Sequence, residues 1–447
     1  MKVCVIGAGC SGITAIKNLL QAGVTDITCY DQNDQVGGNW IYSENESHSS
    51  VCETTHLISS KTMSEYMDFP MPDHYPDYPS HRQVLAYFQS YAMHFGLLPY
   101  IQFNTKVSQV EKLEGQRWKV SLSTGEAQEF DYLFVSNGHH SVPRMPDLPG
   151  TFEGELLHSH QYKNSRPFKG KRVLVIGAGN SGCDCAVEIS RVAAYVSISM
   201  RNPQYIVPKF FLGKPSDTFN EGLLWMPKPM AGFLRKISLK FQVGTYKQYG
   251  LPEPDYPVIA AHPTVNSELL YMIKHGKVHP KTGIEKIEGK KVWFKDGKSA
   301  IYDTIITATG YKIALPFFDK DFINYEVADR IPLFLRMFHP EHPTLLFIGL
   351  FQPQGAIWPL SDYQSKLAAN YVTGKWQLPT TIQKLAEKDA DIIEKEFRKS
   401  KRHTIEVHYH AFLKKLKKEI PKDAPAWVSN KKDKIDKELV TPITQSN

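Results

Sequence analysis

Two stretches of the chain carry the same rhythm of apolar and polar positions. Residues 2–6 are β-favouring and mostly apolar, and the turn sequence GAGCSG follows at 7–12. Ile13, Ile16, Leu19 and Leu20 then recur at helical spacing, and DITCYD reads as a strand ending at Asp31. Residues 171–201 repeat this order: KRVLVIGAGNSG, a helix in CDCAVEISRVA, a strand in YVSISMR. The pattern predicts two βαβ units, and the repeat covers each whole unit rather than its glycines alone.

Between the units, a Pro- and Tyr-rich loop at about 68–80 precedes a predicted helix, HRQVLAYFQSYAMHFGL, and a strand-rich stretch at 101–136 that ends in YLFVSNGHH. After the second unit the pattern predicts an irregular, aromatic- and Pro-rich insertion at about 202–265, then a helix from Val265 to His275. The strand DTIITATGYK, 303–312, resembles the end of YLFVSNGHH, and a further helix is expected near 361–373. This order predicts an α/β fold of two Rossmann-like dinucleotide-binding domains. One domain, 161–305, is inserted into another made of 1–160 and 306–447, with a loose Lys-rich tail from about 429.

Composition narrows the class. Of 447 residues, 42% are hydrophobic and 22% charged, which excludes a disordered or fibrous chain. A net charge of +7 with no interleaved basic and aromatic stripe does not point to nucleic acid. No apolar run is long enough for a membrane span, and the N-terminus lacks the pattern of a signal peptide. The cysteines, Cys4, Cys10, Cys29, Cys52, Cys183 and Cys185, form no CxxC pair. They read as reduced core residues, and the expected location is cytoplasmic.

A G-x-G-x-x-G turn between strand and helix lets backbone approach a pyrophosphate, which then sits on free N–H groups at the helix N-terminus. The divergence after the turn is informative. Gly12 to Asp31 and Gly182 to Arg201 are both 19 residues. An acid there accepts hydrogen bonds from ribose hydroxyls and repels a 2′-phosphate, whereas an arginine welcomes it. The first site is thus expected to take a dinucleotide with a free ribose, and the second NADPH. Gly37-Gly38 after the acid suggests that the first is FAD. A flavin reduced by NADPH needs an acceptor: a disulfide, a quinone or carrier, or O₂. The lack of CxxC weighs against the first.

Further motifs identify a family. Phe152, Gly154, His158 and Tyr162 in FEGELLHSHQY fit F-x-G-x-x-x-H-x-x-x-[FY], and GGNW stands at 37–40, SSK at 59–61, ATGY at 308–311 and QPQGAI at 352–357. From residue 1 to about 425 the chain resembles the flavin-containing monooxygenases, class B flavoprotein monooxygenases. It looks like a soluble, microbial member, because no apolar C-terminal tail like that of the membrane-anchored animal members is present. Related Baeyer–Villiger enzymes close the linker motif with Trp and carry an Arg in an NRYPG-like segment. Here Tyr162 closes it, and no such segment follows Trp40.

The resemblance implies an NADPH- and O₂-dependent enzyme that forms a C4a-hydroperoxyflavin and oxygenates soft nucleophiles, amine nitrogen or sulfide sulfur. The alternatives are an NADPH oxidase or flavin reductase and Baeyer–Villiger oxidation of ketones. The implied partners are a small-molecule substrate and O₂, with a homodimer as a possible assembly. By resemblance, Gly7, Ala8, Gly9, Cys10, Ser11, Gly12 and Val107 belong to the FAD site and Asp31 holds its ribose. Gly38, Asn39 and Trp40 lie along the flavin, and Gln352 near its edge. Leu57, Gly177, Gly179, Asn180, Ser181, Gly182, Cys183, Asp184 and Arg201 belong to the NADP⁺ site. Ile58 and Ser59 take the position beside flavin C4a. Many members have Asn where this chain has Ile58, which cannot donate a hydrogen bond. Either Ser59, Thr55 or the NADP⁺ amide substitutes, or peroxide leaks.

Other features read more plainly. His158 is expected to tie domains together by hydrogen bonds rather than to catalyse. The aromatic segment Phe210–Trp225 is either a substrate tunnel or core. The Lys runs near 414–432 are a solvated helix face, and His403, His408 and His410 lack the partners of a metal site.

Overall fold

The structure, a computed structural model, describes residues 1–45, 48–258, 263–397 and 404–424. In chain order the elements that build its two parallel sheets and the helices used below are β1 (Val3–Ile6), α1 (Cys10–Gln21), β2 (Ile27–Tyr30), β3 (Ile101–Gln102), β4 (Tyr132–Val135) and β5 (Glu155–His158). Then follow β6 (Arg172–Ile176), α2 (Asn180–Ile189), β7 (Tyr195–Ser199), α3 (Lys228–Val243), β8 (Val278–Lys281), β9 (Thr304–Thr307), β10 (Leu345–Phe347) and α4 (Ile357–Val372).

The chain divides into two compact units. The first comprises 1–41, 59–139 and 313–447, and its sheet has the order β10-β4-β1-β2-β3. The second comprises 42–58 and 140–312, with the order β5-β9-β6-β7-β8. All pairings in both sheets are parallel. Each sheet puts its first βαβ strand at the centre, where it is covered on both faces and reads as an uninterrupted apolar run.

The internal repeat extends past the glycine turns. Between β3 and β4 the first unit inserts an antiparallel sheet, Val107–Lys112, Trp118–Leu122 and Ala127–Phe130. At the matching place, between β8 and β9, the second inserts Ile284–Gly289, Lys291–Phe294 and Ser299–Ile301. The strands 101–136 and the resemblance of 303–312 to YLFVSNGHH are two views of this one repeat.

Several expected boundaries move. Residues 140–160 and 306–312 belong with the second unit, because β5 pairs with β9 and Val142–Pro143 pairs with Tyr311–Lys312. Residues 42–58 join it too: Lys163 Nζ donates to Ser49 O at 2.7 Å, and Arg166 pairs with Glu44 and Glu53. The insertion is not irregular throughout. It contains α3, whose first turn holds Pro229, a position where a missing N–H costs nothing. The helix expected from Val265 starts instead at Leu269, since Asn266 Oδ1 accepts the N–H groups of Glu268 and Leu269, and Thr264–Val265 is a short strand. The helix expected near 361 starts at Ile357.

Trp225 is 77% exposed and so is not part of a core. Lys415 is no bare solvated cation, since it pairs with the buried Asp389. Among the described residues no helix is long and apolar enough to cross a membrane, and no three His, Cys, Asp or Glu could hold a metal ion. His403 and the tail from 429 lie outside the described residues.

Candidate functional site: two dinucleotide cradles

The two glycine turns are built alike. Gly7 has φ +98°, and a Cβ there would stand 2.7 Å from Ser136 O; Gly177 has φ +104°, and its Cβ would stand 2.5 Å from Ala308 O. No L side chain fits either place. A Cβ on Gly12 would fall 1.8 Å from Gly7 O, and one on Gly182 2.0 Å from Gly177 O. These third glycines pack helix on strand.

The two helices then begin at Gly9 and Gly179, with no side-chain cap and no acid in the first turn. The first intrahelical bonds are Ile13 N–H to Gly9 O and Cys183 N–H to Gly179 O. The amides of Cys10, Ser11 and Gly12, and of Asn180, Ser181 and Gly182, therefore precede any intrahelical acceptor. Two uncapped N-termini with glycine-lined approaches fit two pyrophosphates.

In the first unit Gly38 extends the cradle: at φ +54°, its Cβ would stand 3.0 Å from Gly9 Cα, so the two backbones nearly touch. Gly37 lies at φ +146°, a backbone conformation that L side chains rarely adopt. Gly38, Asn39 and Trp40 form one turn of 3-10 helix. Trp40 stands edge-on to Trp358 of α4 at 5.6 Å, and Trp358 is edge-on to Phe88. Asp31 is buried and accepts from Ala8 N–H at 2.6 Å and from the Asn33 main-chain and side-chain amides at 2.8 and 2.7 Å. The chain at Asn104 and Thr105 bonds to Asn33 O and Asp31 O, which places the following strand residue, Val107, near the same rim. The Val107 side chain is buried in the core and leaves only its main chain for a ligand.

Equal spacing misaligned the second rim. Gly7 N–H donates to Tyr30 O and Asp31 N–H to Gln102 O; Gly177 N–H donates to Ser199 O and Met200 N–H to Lys281 O. Met200, which is buried, is thus the counterpart of Asp31, and the exposed Arg201 is the next residue. Arg201 has company that the sequence did not reveal. A Cβ on Gly283 would lie 3.6 Å from Lys295 Cδ and 3.8 Å from Arg201 Cγ, so two cationic stems flank one glycine. An anion could be shared between them.

Other expected residues separate into those free to meet a ligand and those already engaged. Cys183 is buried in the core with its thiol on Ala178 O and its N–H on Gly179 O, so it packs rather than binds. Asn180 Oδ1 accepts from Val265 N–H, and Asp184 accepts from Asn266. Burial pushes the Asp184 carboxyl up to about 6, against the pull of Lys209. Ser181 is exposed, and Leu57 is buried.

The chain passes from one unit to the other between Ile58 and Ser59. Ser59 Oγ is 2.8 Å from Ser64 Oγ, and Thr55 Oγ1 accepts from Cys52 N–H. Both hydroxyls that were candidates to replace an Asn at 58 therefore have partners. Gln352 Oε1 accepts from His139 Nε2 at 3.1 Å, and burial holds the His139 imidazole below its ordinary pKa. His139, at the end of the segment after β4, went unnoticed in the sequence.

The linker motif is a packing device of the second unit. A Cβ on Gly154 would strike Asp303 O and the Phe152 ring, and Tyr162 packs on Phe168. His158 is buried, its N–H donates to Gln161 and its Nδ1 accepts from His160 N–H. Burial, aided by His160, lowers its pKa to about 4, so it stays neutral and holds a turn.

Sequence reading also missed a buried polar seam beneath the first cradle. Ser11 meets Ser361 at 3.1 Å, Thr14 meets Ser365 at 3.0 Å, and Asn18 donates to Asp362 at 2.6 Å. Lys17 Nζ lies 2.8 Å from both Asp68 and Asp362, with all three side chains buried. The seam locks α1, whose N-terminus forms the cradle, to α4.

Comparison with known proteins agrees with this geometry. The family described as FMO-like, flavin-binding monooxygenase-like, matches residues 1–431. Flavin-containing monooxygenase 5 of Rattus norvegicus is 37% identical over 432 residues, 91% of this chain and 80% of that protein. Dimethylaniline monooxygenase (N-oxide-forming) 2 of the same organism is 33% identical, over 94% of this chain and 82% of that one. Among solved structures, S-allyl-L-cysteine S-oxygenase from Allium sativum superimposes with TM-score 0.70 at 22% identity, covering 98% of this chain and 95% of that one. Cyclohexanone monooxygenase from Rhodococcus sp. Phi1 bound to NADP⁺ does so with TM-score 0.65 at 18% identity, covering 88% and 89%. The chain belongs to the flavin-binding monooxygenase-like family and is an oxidoreductase that uses FAD and NADPH.

Proposed function

We propose that the first unit holds FAD, that the second holds NADPH, and that the enzyme transfers one atom of O₂ to an amine nitrogen or a sulfide sulfur. The observation that carries this reading is the pair of uncapped helix N-termini with unlike rims: a carboxylate at Asp31, and cationic stems at Arg201 and Lys295. The amides of Cys10, Ser11 and Gly12 would receive the FAD pyrophosphate, with Gly9 and Gly38 giving it room. The amides of Asn180, Ser181 and Gly182 would receive that of NADPH. Asp31 would accept the ribose hydroxyls of one, and Arg201 with Lys295 the 2′-phosphate of the other.

Bound FAD supplies the redox chemistry, accepting hydride from NADPH and activating O₂. This chain's residues bind, orient and exclude water. His139 fixes the Gln352 carboxamide by holding its oxygen. Trp40, braced on Trp358, gives the first cradle an apolar wall. No proton relay is needed for attack by a neutral amine or thioether, in keeping with His158 and His139 being held neutral.

Relatives named for N-oxide formation and S-oxygenation support a heteroatom as the acceptor. A panel of a tertiary amine, a thioether and a cyclic ketone, with products identified by mass, tests this reading. An N-oxide or sulfoxide is expected; a lactone alone would replace it with Baeyer–Villiger oxidation.

A further inference from the structure

A short parallel pairing in the second unit pins the chain that follows Arg201 to the glycine turn. Ile206–Val207 pairs with Thr264–Val265. Thr264 Oγ1 donates to Ala178 O, and Val265 N–H donates to Asn180 Oδ1, both at 2.8 Å, so 264–265 is tied to the turn itself. Two residues beyond the pairing stands Lys209, half-buried, whose N–H donates to Ser267 Oγ at 2.9 Å. The residue before that serine, Asn266, donates its side-chain amide to Asp184 of α2 at 2.8 Å. Lys209 and Asp184 are thereby brought side by side, and their charges act on each other. The ammonium draws the Asp184 carboxyl down, while Asp184 and then Glu268 oppose the burial that lowers the Lys209 pKa.

The position of Asp184 gives this pair its meaning. It lies three residues after Ser181, hence on the same face of α2 and one turn from the amides at the helix N-terminus. A carboxylate so placed repels a pyrophosphate seated on those amides, against the pull of the helix dipole. A cation beside Asp184 removes that repulsion and stands within a lysine stem's length of the first turn. We propose that the Lys209 ammonium binds the pyrophosphate of the dinucleotide in the second cradle, bridging it to Asp184. The proposal rests on the assignment of NADPH to that cradle. An ammonium is a point charge without the planar fork of a guanidinium, and the pyrophosphate is common to NADPH and NADH. Lys209 therefore supplies affinity without choosing between the two nucleotides, and Arg201 makes the choice.

The test is equilibrium titration of the full-length, flavin-loaded, oxidised protein with NADP⁺, NAD⁺ and adenosine 2′-monophosphate, which carries a 2′-phosphate and no pyrophosphate. Lys209→Met is expected to raise the Kd of NADP⁺ and of NAD⁺ by the same factor, about tenfold, as the loss of one charge-assisted contact. The Kd of the monophosphate is expected to stay unchanged, which shows that the unit is still folded. Lys209→Arg, which keeps the charge, is expected to recover most of the loss. Arg201→Ala is expected to give the complementary pattern, with NADP⁺ and the monophosphate weakened and NAD⁺ not. In an Asp184→Asn background the effect of Lys209→Met is expected to persist; its disappearance would reduce Lys209 to a counter-charge for Asp184 and overturn the inference. A loss of less than about twofold, or equal weakening of all three probes, would overturn it too. These outcomes concern Lys209 alone. A wild-type protein that binds neither dinucleotide would instead overturn the assignment of the cradle, and the role of Lys209 with it.

Discussion

Asp31 and Met200 hold the same place in the two sheets, each donating its N–H to the neighbouring strand, at Gln102 O and Lys281 O. The residue that ends one rim as a buried carboxylate is a buried thioether in the other, and Arg201 comes one step later. This offset matters for recognition. A carboxylate at the Asp31 position of the second unit would face a 2′-phosphate; an apolar Met200 leaves that field to Arg201 and to Lys295 across Gly283.

Arg201→Ala is expected to raise the NADPH KM about tenfold or more, the cost of losing a charge-assisted contact, and the NADH KM less than about twofold. Lys295→Ala is expected to act in the same direction and more weakly. Steady-state kinetics with both nucleotides decides the matter, and equal effects on NADPH and NADH would remove the 2′-phosphate assignment.

The matched glycines allow the two cofactors to be assigned to their units separately. Gly7 and Gly177 both lie at strongly positive φ, each with a carbonyl where a Cβ would go. Alanine at either costs about 1–3 kcal/mol in local strain and closes the turn. Gly7→Ala is expected to yield protein that loses flavin on gel filtration. Gly177→Ala is expected to keep its flavin and to show slow reduction by NADPH at low concentration. The reverse pattern would exchange the two assignments.

The buried seam is a stability element. Removing the cation in Lys17→Met leaves Asp68 and Asp362 facing each other without a counter-charge, at an expected cost of about 3–5 kcal/mol. Asp362→Asn is milder, because burial already raises the Asp362 pKa and the Asn keeps an acceptor for Lys17 and Asn18. Denaturant unfolding of the flavin-loaded proteins measures both. Equal, small losses would show that the pair is solvated.

Ile58 brings no hydrogen bond, and the hydroxyls of Ser59 and Thr55 already have partners. Ile58→Asn is therefore expected to lower the H₂O₂ released per NADPH oxidised in the presence of a good sulfide. Near-complete coupling in the wild type would show that nothing at position 58 limits it.

Much of the fold was legible because the repeat is written in period and punctuation: apolar run, glycine turn, helix, apolar run. The glycines could be assigned their separate tasks because the space each lacks is a backbone atom, whose place the turn itself dictates. The rim of the second unit could not be read in full. From the third glycine to the end of the second strand is 18 residues in the first unit, Gly12 to Tyr30, and 17 in the second, Gly182 to Ser199, so equal counts reached unequal places, and Lys295 is brought in from a turn 94 residues further on than Arg201. The seam of Lys17, Asp68 and Asp362 was likewise invisible, since its members lie far apart in the chain and each alone resembles a surface charge. Helix α3 was missed because Pro227, Pro229 and Gly232 read as loop punctuation, although proline in a first turn is compatible with a helix.

The central claim is that electrons pass from NADPH to FAD and that one atom of O₂ ends in the substrate. It is tested most directly by turnover of a thioether under ¹⁸O₂ with NADPH, with the product analysed by mass. The account predicts sulfoxide carrying the heavy isotope in proportion to NADPH consumed. Oxidation of NADPH with no labelled organic product, all oxygen being recovered as peroxide or water, would contradict it.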